Sequence, residues 1–595
     1  MSNYRKCLLA ALVALCSGCD SERPMARDAD SKRPMAQDAD SKRPMAKGAA
    51  DTIFVNANVI TMSEAQPGAE AIAIKDGKIL AVGSRSQMEV HKGDETAMRD
   101  LEGNTVTPGF IDGHGHMGMV GMFGIAANLL PPPDGKVTSI AELQQTLKTW
   151  MSTSEVPKKN GIVFGTGYDD SQLEEKRHPT RDELDAVTTD YPVIVLHQSG
   201  HLSAVNSKAL EALGMTASTP NPPGGVIRRK QGSNEPNGVL EENANFEAIG
   251  TLILAHFGPD QGLETIVRGQ DIYASFGYTT AQDGGTTPSL VKGYIAAAEQ
   301  GKLKLDVVSY LKAQTIPSDP TIMQGAYQGR DYKNHYRIGG IKLWLDGSPQ
   351  GKTAWLTEPF FQPPTGKEPP YRGYQTMTNA DVEKYIEQAY RNGWQVMAHV
   401  NGDAAIDQYL NAIEMVGTRV SSTGRRTVAI HAQITREDQL DRMKRLEVMP
   451  SFYAAHTYYW GDWHRDSVLG PERAKRISPT KSALDRGMKF TTHGDAPVIP
   501  PNALRIYWAT VNRVTRSGLV LGADQRVDPE TVLKALTIWG AWQYFEEDRK
   551  GSIEPGKLAD LVILDNDPLT VDPMTIQDIK VLETIKEGNT VYRAN

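Results

Sequence analysis

The sequence predicts an α/β protein: a (β/α)8 TIM barrel with a large insertion after its first strand, plus a small β-sandwich domain built from both chain ends. Three observations predict it. Eight β-branched or apolar segments alternate with helix-like stretches along the middle of the chain, as parallel βα units require. Short β-rich runs of one texture stand near both ends. The gap between the first and second middle strands is far too long for a single helix.

Taken in order, the chain opens with Arg5 and Lys6 before the apolar run CLLAALVALCSGC, a secretory type of signal. Ser17 and Gly18 precede Cys19 as in a bacterial lipobox, although Cys16 stands where that pattern usually has Leu. Residues 1–19 are therefore expected to be a lipoprotein-type signal peptide, with Cys19 lipidated on the periplasmic side of a bacterial membrane. Asp20 resembles an inner-membrane retention signal, and soluble periplasmic secretion is the alternative. All three cysteines lie in this segment, so the processed chain has no internal disulfide. Residues 20–50 carry a polar decapeptide repeated nearly three times, SERPMARDAD, SKRPMAQDAD and SKRPMAKGAA, which predicts a disordered tether.

Residues 51–104 and 546–595 are expected to form the composite β-domain. In the first piece, KDGK interrupts two β-branched runs as a hairpin turn would. Residues 105–545 should form the barrel, with strands at 106–112, 278–283, 305–311, 338–346, 394–400, 427–433, 446–453 and 488–495. Residues from about 118 to 265 are the insertion, a lid or subdomain beside the site. The 595 residues are 39% hydrophobic and 23% charged, an ordinary globular composition. A net charge of −8 without a long basic run argues against a nucleic-acid partner, and no internal apolar run is long enough to span a bilayer.

In such barrels the chemistry sits at the C-terminal ends of the strands. There fall His114 and His116 in GFIDGHGHMG, then Lys342 and Asp346, His399, His431, His456, and His493 with Asp495. Strand alternation puts His114 and His116 on one side. Imidazoles and carboxylates converging from several strands are what a divalent metal requires, zinc foremost. Singly, each histidine is compatible with a hydrogen-bonded core residue, and Lys342 with an ion pair to Asp346 or Asp495. Recurrence at successive strand ends is what those readings do not predict.

The motifs TPGFIDGHGH, GHLSAVNSKAL, FGYTTAQDGG, IKLWLDGSPQG, MAHVNGDAAID, AIHAQI, HGDAPV and KGSIEPGKLADLVILD occur in that order along the chain. With them the chain, from about residue 51 to its end, resembles the amidohydrolase superfamily, most closely its YtcJ-like branch, which includes N-substituted formamide deformylase. The resemblance implies one or two divalent ions, with His114 and His116 holding the more buried one and His399 and His431 the second. It makes Asp495 the last ligand and the general base. Lys342 matches the lysine that some relatives carboxylate into a bridging carbamate. His456 would polarise a carbonyl, and His201 would face substrate. At their strand ends Asp346 and His493 are in addition expected to face substrate.

Departures from the family pattern are Pro349 and Gln350 in DGSPQG, the missing QP before His456, and His493 where relatives carry a small residue. The implied activity is hydrolysis of a non-peptide C–N bond, in an amide, formamide or cyclic amide, by metal-activated hydroxide. Esterase, lyase or isomerase chemistry on the same metals, and a non-catalytic periplasmic binding lipoprotein, are the alternatives. Expected partners are a small amide-type molecule and, through the anchor, a membrane; a homodimer is an admissible assembly. The aromatic stretch FYAAHTYYWGDWH (452–464) points to an aromatic or apolar substrate group.

Overall fold

The computed structural model describes residues 48–364 and 366–594; the signal segment, Cys19 and nearly all of the repeat tether lie outside the described residues. At its centre, eight strands form one parallel sheet in which each strand pairs with its neighbours in chain order. They are Phe110–Ile111, Tyr278–Thr286, Asp306–Lys312, Tyr336–Trp344, Gln395–Val400, Val428–His431, Met449–Phe452 and Thr491–Thr492. Each overlaps one of the expected segments. The first is the exception in detail, because the run around Gly109 is divided. Thr105–Pro108 joins a different sheet, pairing with Leu561–Leu564, and only Phe110–Ile111 joins the parallel one.

Between these strands the chain forms helices for legible reasons. In Asn379–Arg391 the buried residues Val382, Ile386, Ala389 and Tyr390 recur at helical spacing. The Thr378 hydroxyl accepts the Asp381 amide at 3.2 Å, capping its first turn. Gly393, at φ 73°, then takes the left-handed conformation that turns the chain into the fifth strand. The sheet's other face closes on Ile111, Val308, Tyr310, Met397, Val428 and Ile430, which pack with Ala541 and Tyr544 into one buried cluster.

The region expected as an insertion holds a sheet of its own. Six strands lie in the order Gly225–Arg229, Pro236–Glu242, Leu202–Val205, Val193–His197, Val163–Tyr168, Ala127–Asn128. Alternation along them fills two separate apolar clusters. Phe164, Ile194 and Leu240 enter one, while Val163 and Val195 enter the other with Leu143 and Leu147.

Two further sheets come from the chain's two ends. One orders Lys78–Gly83, Ala71–Lys75, Thr52–Val55 and Ala97–Asp100; the other orders Asn589–Arg593, Val581–Lys586, Leu561–Leu564, Thr105–Pro108, Asn58–Ile60 and Gly68–Ala69. Phe54, Ile72, Ile74, Val106, Leu561, Ile563 and Ile585 share one core between them.

A buried ionic network ties the C-terminal segment to the N-terminal ends of the parallel strands. Lys550 Nζ lies 2.9 Å from Glu546 and pairs with Asp306, which opens the third strand. Lys586 reaches Asp306 at 3.0 Å and Asp560 at 3.1 Å, and Arg337 reaches Glu546 at 2.7 Å. Three cations thus face three carboxylates, all buried. Among the described residues no helix is long and apolar enough to cross a membrane.

Candidate metal centre

Strand ends bring His114, His116, Lys342, His399, His431 and Asp495 to one place. Asp495 Oδ1 stands 3.3 Å from both His114 Nε2 and His116 Nε2, and its Oδ2 3.8 Å from His431 Nε2. His431 Nε2 and His399 Nδ1 are 3.0 Å apart. Lys342 Nζ lies 2.9 Å from His114 Nε2. Gly284 makes the room: a Cβ there would come within 2.5 Å of the His114 ring.

The backbone bends sharply to hold these groups. His431 at φ 72° and Asp495 at φ 52° are both left-handed, a conformation that costs a non-glycine residue roughly 1–3 kcal/mol and persists where surrounding structure enforces it.

Outer partners decide which nitrogen of each ring is free. His114 Nδ1 faces Gln282 Oε1, whose amide nitrogen donates to Tyr544 at 2.6 Å, so the proton belongs on Nδ1 and Nε2 keeps its lone pair. His399 Nε2 donates to the Gly347 carbonyl at 3.1 Å, which leaves Nδ1 free. His431 Nδ1 faces His493 Nε2 at 3.1 Å, and His493 Nδ1 faces Ser451 at 2.8 Å. Passing protons outward along that chain leaves His431 Nε2 free as well.

Burial pushes the pKa values of His114, His399 and His431 well below the ordinary histidine range, so these rings are neutral. Burial would raise that of Asp495, but positive charge on the surrounding His431, His114 and His116 rings, when they are protonated, outweighs burial and lowers the carboxyl well below its usual range.

Free imidazole nitrogens and a carboxylate with its Oδ1 buried and without a hydrogen-bond partner are a donor set that fits a divalent cation. Lys342 is fully buried, and burial pushes its pKa down to about 7, with Asp495 opposing. The ion pair to Asp346 or Asp495 that would explain it away is not formed: no described carboxylate is paired with it.

A small cavity, about 10 Å³, adjoins this cluster; Ser199, His201, Ser348, Gln350, Asn401, Tyr453, His456 and Val498 complete its wall. Ser348 Oγ, Gln350 Oε1 and Tyr453 OH are buried there without hydrogen-bond partners. His201 enters from the six-stranded sheet, its Nδ1 2.7 Å from Glu242. His456 Nδ1 faces His464 Nε2 at 3.0 Å.

Two expected substrate-facing residues occupy other places. Asp346 is fully buried and accepts the backbone amides of Asn401, Gly402 and Trp355 at 3.0, 2.7 and 3.0 Å, so it anchors the turn after His399. His493 stands behind His431, away from the cavity wall.

Gln282 and Glu242 carry no signal of their own in the sequence, and Tyr453 and His464 are not set apart within the aromatic stretch 452–464. A buried cluster lies behind the His201 loop. There His197 Nε2 lies 3.0 Å from Asp170 and 3.7 Å from Asp169, His178 Nε2 lies 3.7 Å from Asp170, and His197 Nδ1 meets Ser199 at 2.8 Å. The signal available was the pair Asp169–Asp170 closing an apolar run, and His197 closing the next.

Comparison with known proteins agrees with this geometry. A family model described as "Amidohydrolase family" matches residues 97–592. The chain is 27% identical to YtcJ of Bacillus subtilis (strain 168) over 559 residues, 90% of this chain and 98% of that one. It is 26% identical to N-substituted formamide deformylase of Arthrobacter pascens over 553 residues, 91% of this chain and 98% of the relative. Among solved structures, an uncharacterized metal-dependent hydrolase from Pyrococcus horikoshii OT3 superposes with a TM-score of 0.69 at 26% identity, covering 88% of this chain and 99% of that one.

Proposed function

The chain belongs to the amidohydrolase family, and from that premise we propose that it is a metal-dependent hydrolase of a non-peptide C–N bond in a small amide, formamide or cyclic amide. The observation that carries this reading is the convergence of His114 Nε2 and His116 Nε2, each 3.3 Å away, on Asp495 Oδ1, which is buried without a hydrogen-bond partner. The 26% identity to a formamide deformylase supports the C–N bond over an ester.

We read the parallel sheet as a (β/α)8 barrel spanning 105–545, the six-stranded sheet as its insertion, and the two end sheets as a β-sandwich from 51–104 and 546–595. In support of closure, a Cβ on Gly113, after the first strand, would lie 2.8 Å from Thr491 in the eighth.

His114, His116, His399, His431 and Asp495 would hold one or two divalent ions, zinc by the nature of the donors, and Lys342 as a carbamate would complete the set. The chemistry so supplied is a water pKa lowered to about 7 and a polarised carbonyl. Asp495, anionic and unpartnered at Oδ1, takes the proton of the attacking water and returns it to the leaving nitrogen. His456, on the cavity wall, is placed to donate to the substrate carbonyl oxygen, and His201 with Glu242 orients the amide. The C–N bond breaks as the water oxygen bonds to the acyl carbon, giving an amine and a carboxylate.

The test is metal content with turnover of an amide and formamide panel in ¹⁸O water. We expect label in the released carboxylate, and metal lost on H114A/H116A. Asp495→Asn should lose at least about 10³ in kcat while binding metal, in keeping with a combined base and electrostatic role. Turnover by Asp495→Asn near wild type would remove that residue's role, and an unlabelled product would remove hydrolysis.

A further inference from the structure

Among the described residues, the buried cations Arg337, Lys550 and Lys586 each meet carboxylates, and Lys352 meets the Ser467 hydroxyl at 2.8 Å. Lys312 is different. Its ammonium is half-buried, and among the described residues it makes no hydrogen bond or ion pair. It faces only two aromatic rings, Phe246 at 5.0 Å and Trp344 at 5.4 Å to the centroids. Burial holds its pKa below the ordinary lysine range, with no carboxylate near enough to oppose.

Its position ties it to the metal centre. Lys312 ends the third strand and is the register partner of Lys342 in the fourth, so both side chains leave the same face of the sheet. Trp344 follows Lys342 by two residues on that face, and its ring also lies 4.8 Å from the Lys342 ammonium. Phe246 comes from Asn243–Ala248 of the inserted region and touches the His201 ring at 5.8 Å, which in turn lies 4.7 Å from His399. An unbridged cation therefore stands on two aromatic rings that are separated from the cavity by the His201 ring, which Phe246 contacts and which lines the cavity.

We propose that Lys312, with Phe246 and Trp344, forms a subsite that receives a carboxylate carried by the substrate, so that the molecule hydrolysed is an amide of an amino acid or comparable amino carboxylate. The proposal rests on the hydrolase reading above. Aromatic faces attract an ammonium but leave its N–H groups without an oxygen acceptor. A substrate carboxylate supplies one, in a half-buried setting where charge-assisted hydrogen bonds are strong. The neighbouring rings would pack against the carbon chain between carboxylate and amide.

The experiment uses the metal-loaded full chain and a series of N-formyl ω-amino carboxylates of graded length, each beside its neutral methyl amide. At the best-fitting length we expect kcat/KM to favour the carboxylate by roughly 10- to 100-fold. In Lys312→Met the ratio should fall to near one through KM, and Lys312→Arg should keep most of it. A ratio near one in the wild type at every length, or a ratio retained in Lys312→Met, overturns the subsite. If no member is hydrolysed, the amide and formamide panel above decides the hydrolase reading separately, and calorimetric binding of the same carboxylates decides the subsite. Weaker binding to Lys312→Met than to wild type by that factor supports it; equal or absent binding overturns it.

Discussion

Replacing Lys550 by Met keeps the reach of the side chain and removes its charge, which makes it a clean probe of the buried ionic network. Three cations and three carboxylates become two against three. Glu546 keeps Arg337 at 2.7 Å, but Asp306 and Asp560 are left with Lys586, at 3.0 and 3.1 Å, which Glu587 also engages at 2.9 Å; among the described residues half-buried His335 is the only other cationic group on Asp306. Thr280 also loses its partner at 3.0 Å.

Breaking a buried pair from one side typically costs about 3–5 kcal/mol, because the stranded charge stays desolvated. The loss should therefore fall in that range. Adding Asp306→Asn restores parity, so the double variant should be more stable than additivity predicts by about 1–3 kcal/mol. Urea unfolding gives the energies, and hydrogen exchange over residues 561–586 shows whether the C-terminal strands open first. A loss below about 1 kcal/mol, or strict additivity in the double variant, would refute the claim that these charges depend on one another.

Two further outcomes are expected. Lys342→Met should lower metal content by about one ion per chain on mass spectrometry and should not recover with bicarbonate, whereas wild-type loading should improve with it; unchanged stoichiometry would return Lys342 to a purely structural place. For His197, burial alone would lower the pKa, but Asp169 and Asp170 outweigh it and raise it from 6.5 to about 9. A raised folded-state value means the stabilisation is complete below pH 6.5 and fades as pH rises through 9, by at most about 3 kcal/mol. The urea midpoint should fall over that window and flatten in His197→Gln; an equal slope in both would assign the dependence elsewhere.

Much of the candidate site could be read from the chain because strand ends recur. His114, His399, His431 and Asp495 each close an apolar run, and a parallel sheet in chain order must gather such positions at one end. The division at Gly109 was not legible, since Thr105–Pro108 and Phe110–Ile111 are one apolar run whose two halves differ only in distant partners. The places of Asp346 and His493 depend on side-chain direction at strand ends, where the backbone leaves strand geometry and alternation no longer applies. The ionic network was hidden for a related reason: Asp306, Glu546, Lys550, Asp560 and Lys586 look like solvated surface charges until the fold stacks them.

The sheet that joins the chain's two ends sets a timetable for synthesis. Thr105–Pro108 is made early, yet one of its edges stays open until Leu561–Leu564 arrives to pair with it. At roughly 5–20 residues per second that wait is on the order of a minute, during which a buried-type strand offers unpaired amides and carbonyls to any other nascent chain. A chain cut short before Leu561 would keep the strands of its centre but lack the partner of that edge, leaving the seam open.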